Sequence, residues 1–560
     1  MPRPPRRLAL LCLVLAVLVP LPAAAAPTPS LVVIISIDQF RADYLERFRP
    51  HFNPGGFRLL MEQGAWFTDC HHRHSFTKTG PGHAVMLTGV HADLNGIIGN
   101  DWLDRDTLKV ISCVGDETVQ PVGLPEAKEP ELPGPENSAL PRSPRNLLVT
   151  TVGDELKLAR GGRPKVIGIA EKHRAAILMS GKMADAAYFM ERGRMITSTY
   201  YMAALPAWVQ QWNAAAKVDA YFGRVWDRLL PAAAYEVQGP DDAPGEDDKA
   251  GALGRTFPRK IVGRDGVVGP AFYSAFQNTP FANEVVADFA QTAIEQENLG
   301  GRAGITDVLC LGFSANDHVG HLYGPDSHEV MDLVVRTDRL LEQFFQFLDR
   351  RVGLKNCLIV VTADHGVAPM PERIHALRPD VPAGRVDRAQ VLAACEAAVV
   401  EKFGALAADG RWLVQDEHSI RIIPAALREK NAAASAVQAE IRAALRRMDF
   451  VQAVYTRDQL ERGDVNDEAG RQMLLSFNRA RSGDVLYQTK PYFFSRATGS
   501  NHGTPYNYDT QVPLLWYGTG VKPGVHPERV GVNDLAPTLA RLLGLNAPPQ
   551  STGLCLEVTR

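Results

Sequence analysis

Cysteine is scarce in this chain, seven in 560 residues. No two cysteines are spaced as a CxxC pair, so neither a cysteine zinc site nor a dithiol redox motif is supported. Excess charge of one sign is also missing: 60 Lys and Arg against 63 Asp and Glu leave a formal charge of -3. That balance removes the electrostatic case for nucleic-acid binding. Beyond the N-terminus no run is apolar enough to cross a membrane, and no internal repeats are visible. What remains is a globular composition, 45% hydrophobic and 22% charged. The length suits one large domain with insertions, or two to three ordinary ones.

The N-terminal residues have their own logic. MPRPPRR (1–7) is basic, residues 8–21 are almost wholly apolar, and AAAA precedes PTPS. This pattern predicts a signal peptide over 1–26, cleaved near Ala26. The apolar run falls short of the ~20 residues a membrane span needs, and Cys12 follows Leu11 rather than the small residue expected before a lipid-modified cysteine. The expectation is a periplasmic or secreted protein with no stable membrane anchor, a monomer by default. Export would leave Cys70, Cys113, Cys310, Cys357, Cys395 and Cys555 and would permit disulfides. Cys310 and Cys357 lie in apolar runs, where a small buried thiol accounts for them equally well.

Three of those runs, LVVIISID (31–38), DVLCLGFSAND (307–317) and CLIVVTAD (357–364), are continuously apolar and end at an aspartate. Such runs suit strands buried on both faces of a parallel sheet. KVIGIA (165–170) and VPLLWYG (512–518) read as further strands. Helical spacing marks 57–63, 81–89, 328–353 and 533–545. The alternation predicts an α/β fold with a mostly parallel sheet, whose ligands bind beyond the carboxyl ends of the strands. Residues 118–145 read as a loop and 231–270 as a solvated insertion. Residues 370–500 mix helices and short strands and are expected to cap the core.

Those strand ends carry chemistry. Asp317 and His321 stand four apart, Asp364 and His365 are adjacent, Asp38 closes the first run, and His502 lies in the Gly-flanked SNHGTPY loop. Three carboxylates and three imidazoles suit Zn²⁺ better than Mg²⁺ or Ca²⁺. Six ligands exceed one tetrahedral site and fit two ions. The run HHRH (71–74) lacks neighbouring carboxylates and reads as a polar loop. In FTKTGPGHAVMLTG, Pro81 is expected at the first helical position, which puts Thr79 just before a helix N-terminus. Unpaired N–H groups and the dipole there would stabilise an alkoxide or a phosphate oxygen.

Asp38, the Thr-Gly-Pro-Gly-His block, GIIGNDW (96–102), EKHRAAI (171–177), DHVGHLYGPDS, TADHG and NHGTPY occur in one order along the chain. This order resembles the bacterial alkaline phosphatases of the PafA type, in the alkaline phosphatase superfamily, over roughly residues 30–545. The resemblance implies a three-layer α/β/α fold, a single catalytic domain over 27–560, and insertions near 185–300 and 370–500. It implies two Zn²⁺ ions, one held by Asp317, His321 and His502, the other by Asp38, Asp364 and His365. Thr79 would be the nucleophile beside the second ion and also its ligand. Asn100, Lys172 and Arg174 would contact the phosphoryl oxygens. The implied reaction is hydrolysis of small phosphate monoesters through a phosphothreonine, in two in-line displacements. Departures are small: Asn316 precedes Asp317, and Glu171 and His173 flank Lys172.

Two rivals differ in what they need. A phosphodiesterase or nucleotide pyrophosphatase of the same superfamily would share the zincs, the threonine and the asparagine, but a diester offers one fewer phosphoryl oxygen for Lys172 and Arg174. A non-catalytic metal or phosphate binder would need the six ligands and no nucleophile.

Overall fold

Each long apolar run becomes a strand because both of its faces are covered. In the computed structural model, which describes residues 28–124, 141–247, 252–407, 410–417 and 419–558, every residue of strand β1 (Leu31–Ile37) is buried. In chain order the further strands of the main sheet are β2 (Ala65–His71), β3 (Pro121–Val122), β4 (Val166–Ala170), β5 (Ala186–Glu191), β6 (Arg194–Ser198), β7 (Asp307–Phe313) and β8 (Cys357–Thr362). Strands β9 (Leu413–Asp416), β10 (Ser419–Ile422), β11 (Val451–Thr456) and β12 (Val485–Thr489) lie apart, before β13 (Gln511–Gly518) and β14 (Gly524–Gly531) return to the main sheet.

The main sheet runs β14-β2-β13-β8-β1-β7-β4-β5-β6-β3. Its centre, β8-β1-β7-β4-β5, is parallel throughout. Strand β13 joins β8 and β2 antiparallel, and β6 joins β5 antiparallel. Helices cover both sides. Register makes the site. Ile37 pairs with Phe313, and Ser36 pairs with Thr362. The chain therefore leaves β1, β7 and β8 at one level, and the residues just beyond their carboxyl ends are brought together.

The helices that matter follow from this edge: α1 (Phe57–Gln63), α2 (Thr79–Thr88), α3 (His173–Ser180), α4 (Phe281–Gln296), α5 (Ala315–Tyr323) and α6 (His328–Arg351). Helix α2 is buried along its whole length. It also begins two residues earlier than the proline suggested. Lys78 is the N-cap, and the first intrahelical bond runs from Gly82 N–H to the Lys78 carbonyl. Pro81 precedes that bond, so its missing N–H costs nothing there. Asp317 is likewise no strand-end residue; it sits in the first turn of α5.

Three further expectations change. Residues 186–198 are strands of the main sheet and no part of an insertion. The stretch 231–270 is not uniformly solvated, for Tyr235, Glu246 and Arg259 are buried in it. HHRH is a loop only from His72 onward, and a buried one: His71 ends β2, and His71, His72 and His74 are all buried. The six described cysteines are unpaired, all buried except Cys555. The signal-peptide reading, at 1–26, lies outside the described residues, as does most of the 118–145 loop.

Residues 370–500 build a second, smaller core. An antiparallel sheet ordered β9-β10-β12-β11 packs against helices α7 (Arg388–Phe403) and α8 (Ala434–Arg446) through Cys395, Trp412, Ile420, Ile441, Leu445 and Val485. This unit reaches the edge of the main sheet where Glu417 pairs with Lys78 at 3.0 Å and Asp416 accepts a bond from Leu103 N–H at 3.3 Å.

Candidate active site

Asp38 follows β1 directly, and its N–H is held by the Phe313 carbonyl of β7 at 2.9 Å. Asp317 and His321, one turn apart on α5, lie on one face, with His321 Nε2 3.2 Å from Asp317 Oδ1. His502 brings its Nε2 to 3.5 Å from the same oxygen. His365, just past β8, places Nε2 3.5 Å from Asp38 Oδ1 and 3.3 Å from Asp364 Oδ2. The His365 and His502 rings stack with centroids 3.5 Å apart, so the two groups are contiguous.

The three imidazoles share one arrangement. His321 Nδ1 faces the Ser500 carbonyl at 2.8 Å, His502 Nδ1 the Thr77 carbonyl at 2.7 Å, and His365 Nδ1 the Gly366 carbonyl at 2.9 Å. A carbonyl only accepts, so each Nδ1 carries a proton, and in the neutral imidazole Nε2 is the lone-pair atom facing the site. That is the tautomer a metal needs, fixed by a backbone partner. Burial, and after it the neighbouring His502, holds His365 well below its ordinary pKa; burial lowers His502 to about 4. Both are neutral at neutral pH.

The carboxylates diverge. Burial, and then the Asp38 charge, push Asp364 well above the usual carboxylate range. Burial also raises Asp317, but His321 and Lys172 outweigh it and hold Asp317 well below that range. Lys172 is itself lowered by burial, yet the Asp317 and Asp38 charges lift it above its ordinary value. Its ammonium lies 2.9 Å from Asp38 Oδ2 and also bonds Asp317. A cation is thus at home where these acids converge, and the donor set of carboxylate oxygens and imidazole nitrogens fits a divalent transition metal.

Asp317, His321 and His502 bring their ligand atoms within 4.8 Å of one another, as expected. A second such set is Asp38, Asp317 and His365. Asp364, expected there, adjoins it through His365 but stands outside that tightest group. Thr79 opens α2 with Oγ1 3.5 Å from His365 Nε2. Asn100 Oδ1 accepts from Gly80 N–H at 2.8 Å, which directs the amide N–H donors the other way. Arg174 is buried in the first turn of α3, near enough for its charge to disfavour protonation of Lys172.

Some supporting residues had no role assigned from sequence. His83 lies one turn beyond Thr79 and bonds the Thr79 carbonyl through Nδ1 at 2.8 Å and Ser36 Oγ through Nε2 at 3.0 Å. It belongs to the quoted Gly-Pro-Gly-His block, and its i+4 spacing from Thr79 was the available signal. Glu171 and His318 pair at 2.9 Å, tying the Lys172 turn to α5. No local signal marks Gln39, which touches two of the acids.

A model of the type I phosphodiesterase / nucleotide pyrophosphatase family matches residues 32–505. Three relatives are similar over nearly the whole chain. One, named calcium-transporting ATPase, from Myroides odoratus, is 32% identical over 537 residues, 94% of each chain. The alkaline phosphatase PhoV of Synechococcus elongatus is 33% identical over 531 residues, 94% of this chain and 92% of that one. The alkaline phosphatase PafA of Elizabethkingia meningoseptica is 32% identical over 532 residues, 94% and 93%. A crystal structure of alkaline phosphatase PafA superimposes with a TM-score of 0.87 at 30% identity, covering 96% of this chain and all of that one.

Proposed function

The chain belongs to the type I phosphodiesterase / nucleotide pyrophosphatase family and, within the alkaline phosphatase superfamily, to the PafA type, and from that premise we propose a zinc-dependent phosphatase that hydrolyses phosphate monoesters through a phosphothreonine on Thr79. The carrying observation is Lys172, whose ammonium is held by Asp38 and Asp317 within the group of side chains that includes Thr79 and His365. A monoester phosphoryl group brings more negative charge than a diester, and a fixed lysine, with the buried Arg174 beside it, answers that charge.

Two Zn²⁺ ions are the reading the donors suit best, one for Asp317, His321 and His502, the other for Asp38, Asp364 and His365. When bound, they supply Lewis acidity that makes a threonine hydroxyl a usable nucleophile near neutral pH. The chain's own residues do the rest. Thr79 sits at a helix N-terminus, where the dipole and unpaired N–H groups favour negative charge. Asn100, oriented by Gly80, offers its amide N–H groups to a phosphoryl oxygen. Lys172 and Arg174 hold the remaining oxygens and fix phosphorus in line with Thr79 Oγ1.

Export through residues 1–26 belongs to the same reading and rests on their charged start, apolar run and small residues. No helix among the described residues is long and apolar enough to cross a membrane.

The test compares p-nitrophenyl phosphate with bis-p-nitrophenyl phosphate, before and after chelation. We expect the monoester to be the better substrate, both activities to vanish on stripping, and zinc to restore them. A faster diester would make the chain a phosphodiesterase. Turnover of neither substrate would leave a binder.

A further inference from the structure

Gln39 occupies an unexpected backbone conformation. Its φ is +60°, and of the non-glycine residues with positive φ among those described it is the one that is buried. Left-handed backbone favours glycine, then asparagine or aspartate, and a glutamine there gains nothing locally. Its side chain must therefore be needed where it lies.

Both ends of Gln39 are engaged with acids of the site. The backbone N–H donates to Asp364 Oδ1 at 3.1 Å. The side-chain Nε2 donates to Asp317 Oδ1 at 2.6 Å. That oxygen is the one His321 and His502 approach, while Lys172 holds the other. Gln39 thus spans the two groups of ligands from the residue next to Asp38. Helix α5 makes room for it. Gly320 lies three residues beyond Asp317 on the helix, and a Cβ there would overlap Gln39 Oε1. A glycine inside a helix is otherwise a poor choice, and this contact accounts for it.

We propose that Gln39 is a positioning residue that sets the spacing of the two metal clusters: its amide aims Asp317, its N–H aims Asp364, and Gly320 stays small to admit it. This rests on the metal reading given above. Losing an outer partner that orients a ligating carboxylate typically costs about 10–100-fold in metal affinity.

Gln39→Gly isolates the claim, because glycine keeps the positive φ and the backbone N–H and removes only the side chain that carries the amide. Chelator-stripped wild type, Q39G and G320A are titrated with zinc against a chelating dye, and zinc-edge anomalous scattering from crystals at limiting zinc assigns each step to its site. For Q39G we expect about 10–100-fold weaker zinc binding at Asp317/His321/His502, little change at Asp38/Asp364/His365, and a urea midpoint of the stripped protein no lower than wild type. G320A, which pushes the amide aside, should weaken the same site, and it carries the test if Q39G does not fold. Equal weakening at both sites, no weakening at either, or a Q39G loss matched by general destabilisation would overturn the proposal. Wild type that bound no divalent ion would overturn the metal reading, and this inference with it.

Discussion

At the scale of single residues, the site is a contest between burial and charge. Asp317 and Asp364 are buried and Lys172 is largely so, yet Asp317 is held low while Asp364 and Lys172 are raised. Only groups that are used are worth that cost. Thr79→Ala should lower kcat for p-nitrophenyl phosphate by about 10³-fold or more, while Thr79→Ser should keep much of it; an alanine variant near wild-type rate would remove Thr79 from the chemistry. Lys172→Ala should cost the monoester about 10²–10³-fold in kcat/KM and the diester far less. A parallel loss on both substrates would show that the lysine holds the acids together rather than the phosphoryl group. Most of these residues were legible because strand-end acids, an i,i+4 pair and a Gly-Pro punctuated helix start are local patterns. Gln39 was not, since nothing local distinguishes it from any polar residue after a strand. HHRH was misread because a neutral imidazole packs much as an apolar ring does, and burial lowers His72 to about 4.

At the scale of elements, the approach of α2 to the end of β8 decides whether Thr79 meets His365. Gly82 permits it: a Cβ there would overlap the Asp364 backbone carbonyl, which cannot swing aside as a side chain can. Gly82→Ala should destabilise the fold by about 1–3 kcal/mol and depress kcat by moving Thr79 outward. Urea unfolding and initial rates measured together would check this, and a variant with unchanged midpoint and rate would show that α2 has slack. Element types could be read from composition and period, as the run that became α1 illustrates. Some of their ends could not. Helix α2 starts at Thr79 because tertiary burial extends it past a proline that its first turn can carry, and β5 and β6 went unseen because pairing with β4 and β3 recruits them to the sheet.

At the scale of the whole molecule, the second insertion and the 240–247 segment lean on the site. Gly245 accepts from Gly499 N–H, and Asp247 N–H bonds the Leu322 carbonyl at the end of α5. Between them lies Glu246, with both carboxyl oxygens buried and without a hydrogen-bond partner. Burial, and after it the Glu329 charge, push this carboxyl up to about 9. From about pH 4.5 upward the unfolded chain ionises here while the native protein keeps its proton, so native stability declines as pH climbs toward 9. Glu246→Gln lacks that term. Its stability relative to wild type should rise with pH by up to about 1.4 kcal/mol per unit between pH 5 and 9; a constant difference in urea unfolding at pH 6, 7.5 and 9 would refute the assignment. By itself the sequence determined the α/β class, the central strands and the family, and it marked the candidate site residues, because those rest on period, residue type and order along the chain. The tertiary structure alone decided that Asp317 belongs to a helix turn, that Asp317 lies close to both candidate groups, that Lys172 lies between two acids, and that Gln39 and Gly320 fit together. Those facts depend on which distant segments share a sheet edge, and register between strands hundreds of residues apart is set by packing rather than by any local signal.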